Sequence, residues 1–191
     1  MRELAMEADQ IVATAGLLDR SASLHELAYD LLAENERIIA STFDAAIDAY
    51  LDGHLERIVV LSSTMVYESA TMFPTPEGAQ RTSPPPVSTY GFRKLASEYF
   101  ALGAWEQYRL PYTILRPSSP VGIGERDSLR LPGEEGRGKL ATNHVIPDLA
   151  TKVISGQDPV HIYGEGDQIR SFIAVGTWST ASAWRSSHRT R

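Results

Sequence analysis

Four consecutive apolar residues, Ile-Val-Val-Leu at positions 58–61, constrain the fold more than any other segment of this chain. A strand that is apolar on both faces must be covered on both faces, which is typical of parallel sheets in α/β proteins. The polar residues Ser62 and Ser63 follow directly and would lie at the carboxyl end of this strand. We therefore predict a strand over 57–62 within a parallel sheet.

The rest of the chain alternates between strand and helix patterns. Short apolar runs predict strands, and apolar residues spaced three and four apart predict helices. Ser21 or Ser23 is a candidate N-cap of the first helix, and Gly53 is its candidate stop. The alternation predicts an α/β fold built on a doubly wound parallel sheet with helices on both faces. The predicted strands are 10–16 (buried), 57–62, 112–116, 160–162 and 172–175, and the predicted helices are 24–50, 88–103 and 143–154.

Composition and charge exclude several kinds of partner. The 191 residues, 42% of them hydrophobic, suffice for one compact unit. The net charge of -6 disfavours nucleic acid, which binds clustered Lys and Arg. No run of about 18 apolar residues exists and Arg2 follows Met1, so we expect a cytoplasmic location and no membrane partner. The chain lacks cysteine, and His144 and His161 have no second ligand at metal-binding spacing, so no metal is expected.

One pair of residues indicates acid–base chemistry. Tyr90 and Lys94 are one helical turn apart, so their side chains share a face. A nearby ammonium favours the ionised form of a phenol, which suits a general acid/base. Ser63 could hydrogen-bond the same substrate oxygen, because ligands of open α/β sheets bind at the carboxyl ends of the strands. An exposed helix can also carry such a pair without any catalytic role.

Four landmarks occur in order along the chain: Val-Val-Leu-Ser-Ser-Thr-Met-Val-Tyr at 59–67, Ser-Thr-Tyr-Gly-Phe-Arg-Lys at 88–94, Leu-Arg-Pro at 115–117 and Tyr-Gly-Glu-Gly-Asp-Gln-Ile-Arg-Ser-Phe at 163–172. Together they resemble the extended short-chain dehydrogenase/reductases of the NAD-dependent nucleotide-sugar epimerase/dehydratase family, over residues 8–175. The resemblance implies that residues 1–120 are the C-terminal half of a Rossmann-like NAD-binding domain that carries the catalytic residues. Residues 121–175 would be part of a substrate-binding region, and 176–191, which lack a hydrophobic period, a disordered or aberrant tail.

The resemblance also implies a role for each matching residue. Tyr90 would be the catalytic acid/base, Lys94 would hold the nicotinamide ribose, and Ser63 would bind the reacting hydroxyl. The residues implied in cofactor binding are Ala15, Gly16, Asn35, Tyr90, Lys94 and Pro117, and those implied in binding the nucleotide sugar are Ser63, Ser119, Asn143 and Arg170. From the residues alone, Asn35 could equally be a helix-surface residue, Pro117 a strand terminator and Arg170 a surface residue in a turn.

The chain departs from the family pattern at three places. Thr64-Met65 stands where sugar 4,6-dehydratases have an Asp-Glu pair, which favours epimerisation or simple oxidoreduction. The strand at 10–16 corresponds to the fourth of the family, and the Gly-x-x-Gly-x-x-Gly turn that binds the pyrophosphate is absent. The end of the chain after Val175 does not continue the family pattern, which suggests a shifted reading frame or a truncated product. NADP is not excluded, because the residues that choose between NAD and NADP would belong to the second strand.

Three functions are consistent with these observations. The first is an NAD-dependent epimerase that acts on a nucleotide sugar, the second is a non-catalytic remnant of that family, and the third is a related reductase of a non-sugar substrate. The segment 164–170 favours a nucleotide sugar, and a homodimer is left open. If these 191 residues are the whole polypeptide, we expect very weak NAD binding and no turnover, and tight binding in a calorimetric titration would contradict that expectation.

Overall fold

A parallel sheet of three strands organises the protein. The structure is a computed structural model that describes residues 2–17, 27–122, 145–162, 164–167 and 169–180. The strands pair in the order β1, β2, β3, and Val12, Val59 and Thr113 lie side by side across the sheet. Their bounds are β1 (Gln10–Ala13), β2 (Arg57–Leu61) and β3 (Tyr112–Leu115).

Two long helices make the crossovers between these strands. A short helix, α1 (Arg2–Ala5), precedes β1, α2 (Ala28–Leu51) joins β1 to β2, and α3 (Thr89–Tyr108) joins β2 to β3. Because both crossovers advance in the same direction along the sheet, right-handed connections place α2 and α3 on the same face, where they pack together. The predicted fold class, an α/β fold with a partial Rossmann-like parallel sheet, is confirmed, although within the described residues both crossover helices lie on one face of the sheet.

The helix ends follow from local sequence. Ser88 caps α3 by accepting a hydrogen bond from the backbone N–H of Gly91 at 3.0 Å. Gly53, just after α2, has a φ of 82°, which glycine adopts without steric cost and which ends the helix as predicted. Leu27 occupies the N-cap position of α2 without a side-chain bond, and the candidate caps Ser21 and Ser23 lie outside the described residues.

The hydrophobic core lies between the sheet and the two helices. Alternate strand residues point toward the helices, as the twofold period of a strand requires. The helix-facing strand residues in the core are Ile11, Ala13, Ile58, Val60, Tyr112 and Ile114, and they pack with Phe43, Ala46, Ala101 and Leu110 among others.

The buried strand predicted at 10–16 is shorter and more exposed in the structure. β1 ends at Ala13, and Val12 is 55% exposed, whereas its partner Val59 on the central strand is 1% exposed. The reason is position, because among the described strands β1 pairs only with β2 and β2 has a neighbour on both sides.

The chain beyond β3 forms smaller elements. These are β4 (Pro120–Val121) and β5 (Ile173–Ala174), which pair as a second parallel sheet, and α4 (Val145–Ile154). The predicted strand at 160–162 is wrong, since this exposed segment has no strand neighbour among the described residues. β5 is shorter than the predicted 172–175, and residues 175–180 are helical. Most of the predicted 121–141 loop and residues 181–191 lie outside the described residues.

The apolar face that the sequence pattern shows on α3 is not its most buried face. The buried residues of α3 are small or polar, namely Gly91, Ser97, Glu98, Ala101 and Ala104. Phe92 and Tyr99 are instead 47% and 61% exposed and line a groove of about 730 Å³ between α2 and α3. Across the described stretches of the chain, no helix has the length and apolar character needed to cross a membrane.

Candidate active site

Tyr90 and Lys94 lie at the carboxyl edge of the three-stranded sheet. Lys94 Nζ donates a hydrogen bond of 2.6 Å to the carbonyl oxygen of Leu61, the last residue of β2. The same nitrogen lies 6.0 Å from the centre of the Tyr90 ring. Ser63 follows Leu61 by two residues, so α3 and the end of β2 bring all three predicted catalytic residues to one edge.

A close approach of two backbones sets this arrangement. The first turn of α3 packs against the 3₁₀ turn Thr64–Tyr67 that follows Ser63. A Cβ atom on Gly91 would lie 2.7 Å from Cβ of Pro86 and 2.8 Å from the carbonyl oxygen of Met65. Glycine directly after Tyr90 therefore allows α3 to start this close to Ser63 and the 3₁₀ turn Thr64–Tyr67, together called the serine turn.

Ser63 has both a structural and a chemical function available to it. Its Oγ accepts a hydrogen bond of 3.2 Å from the backbone N–H of Met65 and so caps the 3₁₀ turn. The residue is 7% exposed, so its position is fixed by packing. The cap uses Oγ as an acceptor, which leaves the hydroxyl hydrogen free of that bond for a substrate oxygen.

Burial makes the ammonium group of Lys94 easier to deprotonate. Desolvation, with a smaller contribution from the positive charge of Arg93, lowers the pKa of Lys94 to about 8. Lys94 is thus a cation at neutral pH that can lose its proton in mildly alkaline solution.

Asn35 holds the loop that follows β1. Its side chain accepts a hydrogen bond from Leu17 N (2.9 Å) and donates to the carbonyl oxygens of Leu17 (3.0 Å) and Leu31 (2.6 Å). It is 5% exposed, so the alternative of a helix-surface residue is wrong. A Cβ on Gly16 would lie 2.8 Å from Asn35 Oδ1, so glycine permits this contact. Ala15 and Gly16 are themselves exposed at the carboxyl end of β1.

We expect Asn35→Ala to loosen this loop without unfolding the protein. The substitution removes the side-chain hydrogen bonds to Leu17 and should reduce the free energy of unfolding by about 1–2 kcal/mol, since a hydrogen bond contributes on the order of 1 kcal/mol net. Hydrogen exchange followed by NMR should show faster exchange of the Leu17 amide, while the amides of β2 keep their order of protection. Unchanged exchange at Leu17 would mean that Asn35 does not hold the loop.

Pro117 and Ser119 lie where the chain leaves β3. The carbonyl oxygen of Pro117 accepts from Thr64 N at 3.2 Å and from Thr64 Oγ1 at 3.4 Å, which ties the ends of β2 and β3 together. Ser119 has a φ of 25°, and its carbonyl oxygen accepts from Ile173 N at 3.4 Å. Both predicted residues thus have structural roles at this edge in addition to the binding roles that the resemblance implies.

Of the two residues predicted to bind the diphosphate, one lies within the described part of the chain. Arg170 is exposed and lies three residues before β5, the strand that pairs beside Ser119. Asn143 lies outside the described residues.

The sequence reasoning missed a buried ion pair beneath the site. Arg116 Nε and Nη2 donate to the two carboxylate oxygens of Glu98, each at 2.7 Å, and the side chains are 14% and 6% exposed. Ser62 Oγ donates to Glu98 Oε1 at 2.6 Å. The bond to Glu98 raises the pKa of Arg116. The sequence offered only a weak signal: Glu98 lies one helical turn beyond Lys94 and Arg116 directly follows β3, but neither position by itself indicates burial.

This ion pair also anchors the long segment after β2. Arg116 Nη1 donates to Tyr67 Oη (2.5 Å) and to the carbonyl oxygen of Glu77 (2.9 Å), and Tyr67 Oη donates to that same carbonyl (2.7 Å). Burial, the largest of several causes, raises the pKa of Tyr67. The Glu98–Arg116 pair therefore joins the serine turn, α3, β3 and the 67–77 segment into one unit.

The described residues fit a dinucleotide on the nicotinamide side. The loop at 14–17 exposes backbone at the carboxyl end of β1, and Lys94 places a half-buried cation next to the Tyr90 ring. Exposed backbone and a positive charge at this edge are what open α/β sheets use to hold such cofactors. Within the described part of the chain, no cluster of three or more His, Asp or Glu residues could hold a metal ion.

Solved structures share this architecture. The UDP-N-acetylglucosamine 4-epimerase of Methanobrevibacter ruminantium M1, in complex with UDP-N-acetylmuramic acid, is 24% identical with a TM-score of 0.74; 95% of this chain and 52% of that one are covered. MoeE5, in complex with UDP-glucuronic acid and NAD, is 26% identical with a TM-score of 0.75; all of this chain and 56% of MoeE5 are covered.

A curated relative and a family model match the sequence itself. A protein of Oryza sativa subsp. japonica named "Putative GDP-L-fucose synthase 2" is 28% identical over 152 residues, covering 76% of this chain and 40% of the relative. The chain thus spans about half the length of the solved relatives and less than half of the curated one. The model of the NAD dependent epimerase/dehydratase family matches residues 1–184. The chain belongs to the NAD dependent epimerase/dehydratase family.

Proposed function

We propose that this protein contributes the catalytic residues of an NAD-dependent epimerase that acts on a nucleotide sugar by transient oxidation. The observation that carries the proposal is the placement of Ser63, Tyr90 and Lys94 at one carboxyl edge of the sheet, with the Asn35-held loop beside β1 at the same edge. Similar structures are named as epimerases or hold a UDP-sugar, which supports this substrate class.

The side chains divide the acid–base work among them. Tyr90 exchanges a proton with the sugar hydroxyl at the carbon that is oxidised, and Ser63 donates its free hydroxyl hydrogen to the same oxygen. Lys94, held by the Leu61 carbonyl, places its positive charge next to the Tyr90 ring. It would also hold the nicotinamide ribose. NAD, when bound, would supply the hydride chemistry, and return of the hydride to the opposite face of that carbon would invert the centre.

The turn after Ser63 favours epimerisation over water elimination. Thr64 bonds to the Pro117 carbonyl through both its N–H and its hydroxyl, and the backbone of Met65 bonds to Ser63. The acid on this segment, Glu68, accepts from the backbone N–H (2.8 Å) and the hydroxyl (2.9 Å) of Ser88 and so serves to start α3. Thr64 and Met65 stand where sugar 4,6-dehydratases have an Asp-Glu pair, and neither supplies a carboxyl group that elimination would use.

The substrate is proposed to extend from the catalytic edge toward β4 and β5. Ser119 and Arg170 flank the pairing of these strands, and the forked donors of an arginine suit a diphosphate. Asn143 is proposed as a further ligand of the diphosphate on the resemblance alone. The cytoplasmic location also stays a prediction.

The proposal is tested by isotope tracing in the full-length protein. With NAD and a panel of UDP-, dTDP- and GDP-sugars, we expect one sugar to give its epimer. Deuterium placed on the inverted carbon should be retained in the product, since the hydride returns to the carbon that it left. Loss of the label to solvent, or a product lighter by one water, would contradict transient oxidation at a single centre.

We also propose that a second copy of the chain covers the groove between α2 and α3. Large apolar side chains gathered on an exposed surface are typical of an interface, and Phe92 and Tyr99 contribute to such a surface here. We expect a dimer in sedimentation equilibrium and a monomer for Tyr99→Glu, whereas the surface change Tyr29→Glu should leave the dimer intact. A monomeric parent protein at micromolar concentration would refute this arrangement.

A further inference from the structure

Arg93, which the catalytic motif leaves without a role, lies directly against the proposed acid/base. Its guanidinium carbon is 4.8 Å from the centre of the Tyr90 ring, within the range of a favourable cation–π contact. On a helix, residues three apart lie on neighbouring positions of one face, so Arg93 and Lys94 place two positive charges beside the same ring.

The guanidinium of Arg93 also borders the loop that follows β1. A Cβ atom on Gly16 would lie 3.3 Å from Arg93 Nη1, closer than an ordinary van der Waals contact, so this nitrogen lies beside the glycine. Arg93 therefore spans the gap between Tyr90 on α3 and the loop held by Asn35. It lies inside the proposed site, next to the expected path of the cofactor.

Glu36 on α2 supplies the opposite charge to Arg93. Its Oε1 atom is buried and has no hydrogen-bond partner within the described residues. Burial raises the pKa of Glu36, and the nearby charge of Arg93 opposes that rise. Burial likewise lowers the pKa of Arg93, opposed by Tyr90 and Glu36. A desolvated carboxylate on α2 thus faces Arg93 from the side of the neighbouring helix.

Two elements place charged and polar groups against Lys94. Arg93 and Tyr90 face it from α3, and the carbonyl oxygen of Leu61 faces it from β2. From α2, Glu36 faces Arg93. Arg93 is the charged neighbour whose repulsion adds to the effect of burial on Lys94.

We propose that Arg93 is a positioning residue of the Tyr90–Lys94 pair, stacked on the tyrosine ring with the negative charge of Glu36 on the α2 side. Its guanidinium fixes the orientation of the ring, and its charge acts on Lys94. Two cations then flank the ring of the group that exchanges the proton. What the pair does for substrate rests on the proposed function, but the placement of Arg93 can be tested without substrate or cofactor.

Titration of Lys94 by NMR provides the test. The chain contains three lysines, Lys94, Lys139 and Lys152, so a protein labelled with ¹³Cε-lysine gives three resolvable titration curves, and Lys94→Met assigns one of them. Removing the charge with Arg93→Gln should raise the Lys94 midpoint by about 0.5–1.5 pH units, the range for screened charges several ångströms apart. Arg93→Lys keeps the charge and should leave the midpoint within about 0.3 unit of the parent.

Controls separate a local charge effect from a general one. Arg81→Gln removes an exposed positive charge from another part of the chain and should not move the Lys94 curve. A Lys94 midpoint that is unchanged in Arg93→Gln, or that rises as much in Arg93→Lys as in Arg93→Gln, would overturn the inference. If the shift is absent while Tyr90→Phe still abolishes turnover, this inference fails and the proposed function stands. If the shift is present but isotope tracing gives no labelled epimer, this inference stands and the proposed function fails.

Discussion

Glu98→Ala is expected to lower the free energy of unfolding by about 3–5 kcal/mol, the cost of leaving one partner of a buried ion pair without its counter-charge. Arg116 is only 14% exposed and would lose both of its bonds to the carboxylate. Ser62 would lose its acceptor at the same time. Urea denaturation followed by circular dichroism measures the difference, and a loss below about 1 kcal/mol would show that the pair does not stabilise the fold.

An exposed ion pair of the same chain is the matched control for this change. Glu34 and Arg37 are in contact at 3.0 Å, but their side chains are 47% and 68% exposed. Glu34→Ala should therefore cost about 0.5 kcal/mol or less, because water solvates the remaining charge. Replacing Glu98 and Arg116 together by methionine should recover much of the stability lost in Glu98→Ala, since no buried charge is then left alone.

Tyr90→Phe is expected to reduce turnover in the full-length protein by about 10²–10⁴-fold, the usual contribution of a positioned acid/base. The substitution removes one oxygen atom and keeps the ring on which Arg93 stacks, so the fold should be unaffected. The rate of epimer formation at saturating NAD and substrate measures the effect, together with a denaturation curve that should match the parent.

Tyr99→Phe provides the comparison for this second change. Tyr99 lies on the same helix but is 61% exposed in the groove between α2 and α3. Its hydroxyl takes no part in the proposed proton exchange, so its loss should change turnover by less than about twofold, and phenylalanine keeps the apolar ring in the groove. Equal losses in the two variants would show that Tyr90 has no special chemical role.

The helices and strands around the site were largely predictable because their signals are local. The apolar run of β2, the Ser88 cap of α3 and the Gly53 stop of α2 each involve residues that are close in sequence. The 160–162 segment shows the limit of this reasoning. An apolar pattern of three residues does not form a strand without a neighbour to pair with, and pairing depends on residues far away in the chain.

Asn35 illustrates the same limit within the site. The sequence left open whether its side chain lay on the helix surface. Its hydrogen-bond partners at Leu17, the backbone N–H and carbonyl oxygen, are 18 residues away. The Glu98–Arg116 pair was missed for a similar reason, since a Glu in a helix and an Arg after a strand are each ordinary by themselves. Only the packing of α3 against β3 reveals that both are buried.

The sequence by itself determined the parallel α/β architecture, the order of its central elements and the likeness of the Ser63, Tyr90 and Lys94 pattern to one family. These features depend on periodicity and on spacing within one helix turn, which the chain carries locally. The tertiary structure decided which charges come together: Glu98 with Arg116 in the interior, and half-buried Arg93 near Tyr90 and Glu36. Desolvation and cation–π contact are properties of groups brought together from different elements, so they exist only once α2, α3 and the sheet have packed.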